Sequence, residues 1–215
     1  MQTYKQTFLE LALKYEVLKF GAFTLKSGRV SPYFFNLGKI ASGAALRALG
    51  RAYAEALVET GVEFDVLFGP AYKGIPLVAA VSIAYSEWLG RDVPFAYNRK
   101  EAKDHGEGGV LVGAELQGRV VIVDDVLTAG TALRESHALV SQAGGRPILA
   151  ITALDRQEIG KNNRSAVTEV TDQLGLSVVS LVTVQDLLTF LHAQGGKTET
   201  IAAIERYQRQ YGVGA

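Results

Sequence analysis

Short apolar runs and segments of helical spacing alternate along most of this chain. Five apolar runs predict buried strands: Val66 to Phe68, Phe95 to Tyr97, Val120 to Val123, Ile148 to Ala153, and Val178 to Leu181. Helical segments separate these runs, and such alternation calls for right-handed crossovers between parallel strands. The pattern therefore predicts an α/β fold with a mainly parallel sheet flanked by helices. Ser42 is a candidate N-cap for one of the helices, which would run to Thr60.

The beginning of the chain follows a different pattern. One face of a first helix would carry these side chains: Tyr4, Phe8, Leu11, Ala12 and Tyr15. Phe20 to Leu25 and Tyr33 to Asn36 then predict two strands, and Lys26 to Arg29 predicts the turn between them. We expect a small hairpin unit that stands apart from the main sheet. Residues 1–215 are predicted to form a single domain, to which residues 1–40 contribute this helix and hairpin.

The stretch from Val120 to Glu135 carries the most specific chemical pattern. Its apolar strand ends at Asp124 and Asp125, which suit vicinal sugar hydroxyls because an ionised carboxylate only accepts hydrogen bonds. Small residues follow, whose backbone N–H groups can converge on an anion, and then a helix start whose positive end favours a phosphate. These residues are Val126, Leu127, Thr128, Ala129, Gly130, Thr131 and Ala132. The order predicts a site for a phosphorylated sugar. The alternative is an ordinary strand, turn and helix with a solvated acid pair and a threonine cap.

The segment Gly69 to Gly74 follows another predicted strand. Ligands of open α/β sheets bind beyond the carboxyl ends of the strands, so such segments are candidate site loops. Here glycines permit close approach of the backbone, and Lys73 offers a compact cation for a diphosphate. A plain turn into a helix at Pro76 would explain the same residues.

The segment Asn98 to Gly109 is dense in charge and cannot pack as core. Its charged side chains are Arg99, Lys100, Glu101, Lys103, Asp104 and Glu107. One interpretation is a mobile lid whose cations close over a leaving diphosphate and exclude water. A solvated hairpin is the other.

Arg156 follows the predicted strand Ile148 to Ala153. Its planar fork of N–H donors suits a carboxylate. An ion pair with Asp155 or Glu158 would explain the same arginine without any ligand.

Taken together, these motifs resemble the bacterial orotate phosphoribosyltransferases, which are type I phosphoribosyltransferases. The resemblance covers nearly the whole chain and rests on these segments: Phe34-Phe35, Gly69 to Gly74, Asn98 to Gly106, VVIVDDVLTAGT from Val120, and Leu154 to Glu158. It implies the type I phosphoribosyltransferase fold with a small N-terminal hood. It also implies magnesium-dependent transfer of the ribosyl phosphate of phosphoribosyl diphosphate (PRPP) to orotate, which gives orotidine 5′-monophosphate and pyrophosphate in pyrimidine synthesis.

The resemblance also implies roles for individual residues. The residues implied to bind PRPP are Lys26, Tyr72, Lys73, Arg99, Lys100, Lys103, His105, Asp124, Asp125, Val126, Leu127, Thr128, Ala129, Gly130, Thr131 and Ala132. The residues implied to bind orotate are Phe34, Phe35, Thr128 and Arg156. Lys103, Lys100 and Asp125 would take part in catalysis, and Mg²⁺ would be held through PRPP oxygens and waters rather than by side chains. A homodimer is implied, in which the loop 98–109 reaches the neighbouring active site.

Composition narrows the class of protein. The 22 basic and 22 acidic residues cancel, which argues against a non-specific nucleic-acid binder. The chain has no cysteine, which excludes disulfides and thiolate metal sites. No apolar run approaches the roughly 20 residues needed to span a bilayer, and the start does not resemble a signal peptide. We therefore expect a cytoplasmic protein without nucleic-acid or membrane partners.

Three alternatives share part of this pattern. A purine phosphoribosyltransferase would share the PRPP signature, but Arg156 and the Phe34-Phe35 pair argue against it. A regulator that senses PRPP and binds nucleic acid is disfavoured by the zero net charge. A response-regulator-like module would bind a metal with the acid pair, but that function does not account for Lys100 and Lys103. The residues from Gln194 to Ala215 form a last helix and tail that could cover the sheet or a neighbouring subunit.

Overall fold

The computed structural model describes residues 1–25, 27–103, 109–128, 130–160 and 164–213, apart from the side chains of residues 102, 103 and 109. Its helices are α1 (Thr3–Lys14), α2 (Gly43–Glu59), α3 (Gly74–Leu89), α4 (Thr131–Gln142), α5 (Ala166–Leu174), α6 (Val184–Gln194) and α7 (Thr198–Tyr211). Its strands are β1 (Leu18–Thr24), β2 (Val30–Phe35), β3 (Val66–Gly69), β4 (Phe95–Lys103), β5 (Gly109–Gly113), β6 (Arg119–Val123), β7 (Arg146–Asp155) and β8 (Ser177–Thr183). A short 3₁₀ helix, Leu37–Lys39, follows β2.

The main sheet has six strands in the order β5-β4-β3-β6-β7-β8. All neighbouring pairs are parallel except β4 with β5. Residues Val120 to Val123 of β6 are completely buried, because helices cover both faces of the sheet and give it two apolar cores. The five predicted strands are present, and the predicted α/β fold of the type I phosphoribosyltransferases is confirmed.

The first hairpin forms a separate two-stranded sheet, in which β1 pairs antiparallel with β2. Side chains of β2 alternate as a strand requires, so Ser31 and Tyr33 are buried. Phe35 packs against Phe8 of α1, whereas Phe34 on the opposite face is 40% exposed and contacts Phe23. The hairpin unit predicted from the sequence is therefore present, and its description as part of a single domain stays a prediction.

The charged segment from Asn98 begins as a strand. Strand β4 continues through Lys103 and pairs antiparallel with β5, with Asn98 opposite Leu111 and Lys103 opposite Gly109. The strand is therefore longer than the predicted Phe95 to Tyr97, and its pairing agrees with the hairpin interpretation, whereas a role of the segment as a lid stays a prediction. The strand can carry charge because β4 and β5 lie at the edge of the sheet, where charged side chains reach solvent while the backbone still pairs. Residues 104–108, with His105, lie outside the described residues.

Helices α2 and α3 pack on the same side of the sheet at very short range. Helix α2 begins as predicted, because the Ser42 hydroxyl accepts a hydrogen bond from the Ala45 N–H at 3.3 Å. Further along α2, a Cβ atom added to Gly50 would lie 2.5 Å from the carbonyl oxygen of Ala80 in α3. A glycine is therefore required at this crossing, because the clash would be with backbone that cannot turn aside.

We predict that Gly50→Ala lowers the free energy of unfolding by about 1–3 kcal/mol, the usual cost of overpacking. The loss should appear even though alanine favours a helix by about 1 kcal/mol over glycine. Urea denaturation measures the difference. Gly43→Ala, at the start of the same helix, is the matched control, because a Cβ atom there meets nothing within 4 Å. Equal stability of the two variants would contradict the close approach of α2 to α3.

In the part of the chain that the structure describes, no helix combines the length and apolar character needed to cross a bilayer.

Candidate active site

The carboxyl ends of β3, β4, β6 and β7 meet at one edge of the sheet, because these four strands are parallel. The segments predicted to bind ligand follow these ends: Gly69 to Gly74 after β3, the acid pair after β6, and Arg156 after β7. Arg99 and Lys100 lie in β4 itself, beyond its pairing with β3. The topology therefore brings the candidate segments to the edge at which open α/β sheets bind ligands.

The acid pair is held tightly by its own backbone. The N–H of Asp125 donates to Oδ1 of Asp124, and the N–H of Val126 donates to Oδ1 of Asp125, both at 2.8 Å. The buried Tyr53 of α2 donates its hydroxyl to the carbonyl of Asp124 at 2.8 Å. The Ala153 N–H of β7 donates to the carbonyl of Asp125, also at 2.8 Å. These bonds fix both carboxyl groups before any ligand arrives.

Burial raises the pKa of the Asp124 carboxyl to about 6, and the neighbouring charge of Asp125 acts in the same direction. The Asp125 N–H and Lys73 act in the opposite direction, because both favour the ionised form. Asp124 is thus ionised at neutral pH with only a small margin. It can then accept hydrogen bonds from two neighbouring hydroxyl groups.

Lys73 joins the loop after β3 to the acid pair. Its Nζ atom lies 2.6 Å from Oδ2 of Asp125, and its side chain stays 54% exposed whereas that of Asp125 is 14% exposed. The loop that carries Lys73 is compact, because a Cβ atom on Gly69 would collide with the carbonyl oxygen of Gly74. An accessible cation therefore sits directly beside carboxylate acceptors.

Strand β4 is fastened to the same loop. The side-chain oxygen of Asn98 accepts a hydrogen bond from the Ala71 N–H at 2.9 Å. Lys100 lies 5.1 Å from the ring centre of Tyr72, within cation–π range. The Nη1 atom of Arg99 is buried, and it has no hydrogen-bond partner within the described part of the chain. These contacts gather basic side chains from β4 around the loop that holds Lys73.

An apolar pocket of about 290 Å³ opens beside this cluster. Its walls come from the turn after the hairpin and from α2 and α3, and they include Leu37, Ile40, Leu49 and Leu77. Tyr72, Lys73 and Asp125 line its other side. The ion pair of Lys73 and Asp125 thus has water on one side and apolar surface on the other, which strengthens its electrostatic interactions.

The segment after the acid pair opens a helix as predicted. Helix α4 begins at Thr131, and Gly130 before it has a left-handed backbone with φ of 74°. A side chain at Gly130 would also meet Val170 of α5, so glycine is needed for two reasons. Thr128 and Thr131 are exposed. Ala129 lies outside the described residues, and binding of a phosphate by this segment stays a prediction.

Arg156 has protein partners on one side of its guanidinium group. Its Nε atom donates to Oε1 of Glu158 at 2.6 Å, and its Nη2 atom donates to the Ser31 hydroxyl at 2.9 Å. The group stacks on the buried ring of Tyr33 at 4.2 Å. The ion pair that the sequence left open is thus present with Glu158, and the contacts of Arg156 with Ser31 and Tyr33 link the loop after β7 to the hairpin.

The predicted site residues therefore divide into three groups. The structure brings together Tyr72, Lys73, Lys100, Asp124 and Asp125, and it places Arg156 beside β2. Lys26 and His105 lie outside the described residues, as does the side chain of Lys103. Sequence reasoning missed Tyr53 and Asn98, since a buried tyrosine in a helix and an asparagine in a strand carry no signal of the distant groups that they bond.

Within the described residues, no group of three or more His, Cys, Asp or Glu side chains is arranged to hold a metal ion. The mainly parallel sheet ends its central strand in an acid pair, and a glycine turn then opens a helix opposite the basic loop that carries Lys73. This arrangement is typical of the phosphoribosyltransferases. In agreement, the family model of the phosphoribosyl transferase domain matches residues 37–206.

Similar proteins narrow the class further. The orotate phosphoribosyltransferases of Thioalkalivibrio sulfidiphilus and Vibrio cholerae are 56% and 53% identical to this chain over 213 residues, which is 99% of this chain and 100% of each relative. The crystal structure of orotate phosphoribosyltransferase from Francisella tularensis superposes with a TM-score of 0.86 at 40% identity, covering 95% of this chain and 98% of that one. This chain belongs to the orotate phosphoribosyltransferase family.

We predict that Asp124→Asn stabilises the folded protein by about 3 kcal/mol above pH 7 and has little effect below pH 4. The folded protein binds the Asp124 proton more tightly than the unfolded chain does, because the pKa is raised from 3.8 to about 6. The stabilisation that this proton brings is complete below the lower pKa and is lost as the pH rises through the higher one. Asparagine keeps the Oδ1 acceptor without the buried charge.

Urea denaturation of both proteins at several pH values measures this effect. A gain in stability that does not change between about pH 4 and pH 8 would contradict the burial of an ionisable Asp124 carboxyl.

Proposed function

We propose that this protein catalyses magnesium-dependent transfer of the 5-phosphoribosyl group of PRPP to orotate, giving orotidine 5′-monophosphate and pyrophosphate for pyrimidine synthesis. The observation that carries the proposal is the contact of Lys73 with Asp125 at 2.6 Å. It sets acceptors for ribose hydroxyls directly beside a cation for a diphosphate, in a chain of the orotate phosphoribosyltransferase family.

The sugar phosphate would bind along the end of β6. Asp124 and Asp125 would accept hydrogen bonds from the two ribose hydroxyls, since both carboxyl groups are already fixed by the backbone. The 5-phosphate would bind between Thr128 and the start of α4 at Thr131, where backbone N–H groups and the positive helix end favour an anion. The remaining residues of this segment, Val126, Leu127, Ala129, Gly130 and Ala132, would contribute backbone rather than side chains.

The diphosphate would bind over the loop after β3. Lys73 would exchange its contact with Asp125 for phosphate oxygens, and Tyr72 and Lys100 lie next to it. The buried and unpartnered Nη1 atom of Arg99 is also suited to an anion. The family resemblance adds three residues to those proposed to bind the diphosphate: Lys26, Lys103 and His105.

The residues present fit a magnesium ion that is held by the substrate. Among the described residues at the end of β6 the acids are Asp124 and Asp125, and backbone N–H groups and Lys73 engage one oxygen of Asp124 and both oxygens of Asp125. Mg²⁺ keeps several of its waters and binds readily through substrate oxygens, so it does not need a cage of side chains. When bound, it would neutralise charge on the diphosphate.

The chemistry requires electrostatic stabilisation more than covalent participation. The bond between the anomeric carbon and the diphosphate breaks, its electron pair leaves with pyrophosphate, and a ring nitrogen of orotate forms the new bond. Positive charge develops on the ribose beside Asp125, and negative charge develops on the leaving group beside Lys73, Lys100 and Lys103. The negative charge of orotate is on its carboxylate, so the ring nitrogen that forms the new bond also loses its proton, which passes to water or to the departing pyrophosphate. Charges fixed in advance then lower the barrier without reorganisation.

Orotate would bind between the hairpin and the loop after β7. Arg156 would bind the carboxylate, and Thr128, Phe34 and Phe35 would complete the pocket. Because Phe35 packs against Phe8 while Phe34 is exposed, we propose that the two residues serve orotate differently, one by its backbone and the other by its ring. A purine base has no carboxylate for Arg156, and the similarity of this chain to orotate phosphoribosyltransferases does not favour that alternative.

We further propose that the protein is a cytoplasmic homodimer, in which the segment 98–109 of one subunit reaches the active site of the other. The exposed side chain of Lys100 in this edge hairpin supports the proposal. The link from β4 to the diphosphate loop through Asn98 lies within one subunit, so the part that reaches the other site would be the far end of the hairpin.

We expect product formation from PRPP and Mg²⁺ with orotate, and none with uracil, hypoxanthine, guanine or adenine. A side-by-side assay of the five bases measures this, and chelation of the metal should abolish turnover. Use of a purine would overturn the base pocket, and PRPP binding without any turnover would indicate a sensor.

We predict that Lys103→Ala lowers turnover by roughly 10²–10³-fold, the usual cost of removing one charge-stabilising group from a transition state. Lys14→Ala, which removes an exposed lysine of α1, should leave turnover unchanged. Steady-state rates at saturating substrates compare the two variants. Near-normal turnover of Lys103→Ala would remove this lysine from the mechanism.

Mixing Lys103→Ala subunits with Asp125→Asn subunits tests whether the hairpin acts across a dimer. Hybrid dimers would contain one site that lacks both changes, so part of the activity should return. No recovery after demonstrated subunit exchange would show that Lys103 serves its own subunit.

A further inference from the structure

The loop after β7, which carries Arg156, is fixed by helix α7 and the two residues that follow it. The Ile159 N–H donates to the carbonyl of Tyr211, and the Val213 N–H donates to the carbonyl of Gln157, both at 2.8 Å. Glu158 and Gly212 form an antiparallel bridge between these two bonds. The end of α7 therefore pairs with this loop as one strand pairs with another.

A side chain of α7 reaches Arg156 itself. The Nε2 atom of Gln208 donates to the carbonyl oxygen of Arg156 at 3.1 Å. Gly212 packs closely on Gln208, and a Cβ atom at position 212 would collide with the Gln208 carbonyl oxygen. The position of Gln208 is thus set by the same turn that pairs with the loop.

The loop needs this support because of its backbone. Gln157 has a left-handed conformation with φ of 50°, which is uncommon for a residue other than glycine. Such conformations persist where the surroundings hold them on both sides. Here the Gln157 N–H donates to Oδ1 of Asp155 at 2.8 Å, and its carbonyl accepts from Val213.

Glu158 fixes the guanidinium group of Arg156 within this loop. Its carboxylate accepts from Nε at 2.6 Å, and its other oxygen lies 3.6 Å from Nη1 of Arg29, which in turn stacks on the ring of Tyr211. Nη2 of Arg156 donates to Ser31, so the bonds to Glu158 and Ser31 use two of the five N–H groups of the guanidinium group. One edge of the guanidinium group is therefore anchored, and the terminal nitrogens keep donors for a ligand.

We propose that Glu158 and Gln208 are positioning residues that hold Arg156 in the orientation that binds the carboxylate of the pyrimidine base. The proposal rests on the proposed role of Arg156 in binding orotate. In this proposal α7 contributes to the affinity for the base, because Gln208 and the turn at Gly212 hold the loop that carries Arg156. PRPP binds at the ends of β3 and β6 and should not depend on this cluster.

The test compares Michaelis constants for orotate and PRPP, turnover and melting temperature in a set of variants. Gln208→Ala removes one hydrogen bond and should raise the KM for orotate about fivefold, with the KM for PRPP unchanged. Gln210→Ala is the matched control, because Gln210 is an exposed glutamine of the same helix. Glu158→Ala should raise the KM for orotate by roughly tenfold or more, since it releases a charged hydrogen bond.

The conservative variant Glu158→Gln separates geometry from charge. Its amide oxygen still accepts from Nε of Arg156, so a positioning role requires that it restore most of the affinity for orotate. Arg156→Ala serves as the reference and should raise the KM for orotate more than any of these variants.

The outcomes distinguish two failures. If Arg156→Ala raises the KM for orotate while Gln208→Ala and Glu158→Ala leave it unchanged, the positioning role is overturned and the role of Arg156 stands. If Arg156→Ala itself has no effect, the proposed carboxylate contact fails and this inference fails with it. Equal increases in both Michaelis constants, with a lower melting temperature, would show a general loss of structure and overturn the inference.

Discussion

The burial of β6 in the centre of the sheet is the constraint on which the candidate site depends. Val120 to Val123 are fully buried and lie between β3 and β7, so the end of this strand has little freedom. The carboxyl groups of Asp124 and Asp125 therefore follow a buried strand that is paired on both sides, and hydrogen bonds from Tyr53 and Ala153 fix the backbone around them. Acceptors held in this way need no reorganisation when charge develops nearby, which is the condition for strong electrostatic catalysis.

The charges at this edge are arranged in two opposing groups. Carboxylates lie at the end of β6, whereas cations lie on the loop after β3 and on β4, and Lys73 bridges the groups through Asp125. Cleavage of a ribosyl diphosphate separates charge in the same sense, with a cationic sugar and an anionic leaving group. The site is thus polarised in the sense that the proposed reaction requires, although the chain as a whole carries no net charge.

The sequence predicts the central part of this structure well and its periphery poorly. The run Val120 to Val123, the acid pair and the Ser42 cap are local signals, because strand burial, turn chemistry and capping are decided by neighbouring residues. The extension of β4 depends on its pairing with β5. Its charged residues lack the apolar pattern from which a strand is predicted. The contact of Asn98 with Ala71 joins segments 27 residues apart, so periodicity cannot reveal it. Likewise, the sequence offers both Asp155 and Glu158 as candidate partners of Arg156. Only the structure shows that Glu158 is the one that forms the ion pair.

This division between centre and periphery has a functional counterpart in the proposed site. The sugar phosphate is assigned to the ends of central strands, whose geometry is set by the parallel sheet. The base is assigned to Arg156, which is held by the hairpin through Ser31 and by α7 through Gln208. Both of these elements lie outside the sheet, and their contacts with the loop after β7 can change without disturbing β6. Recognition of the base can therefore vary on this fold while the machinery for PRPP stays fixed, because the two are supported by different parts of the structure.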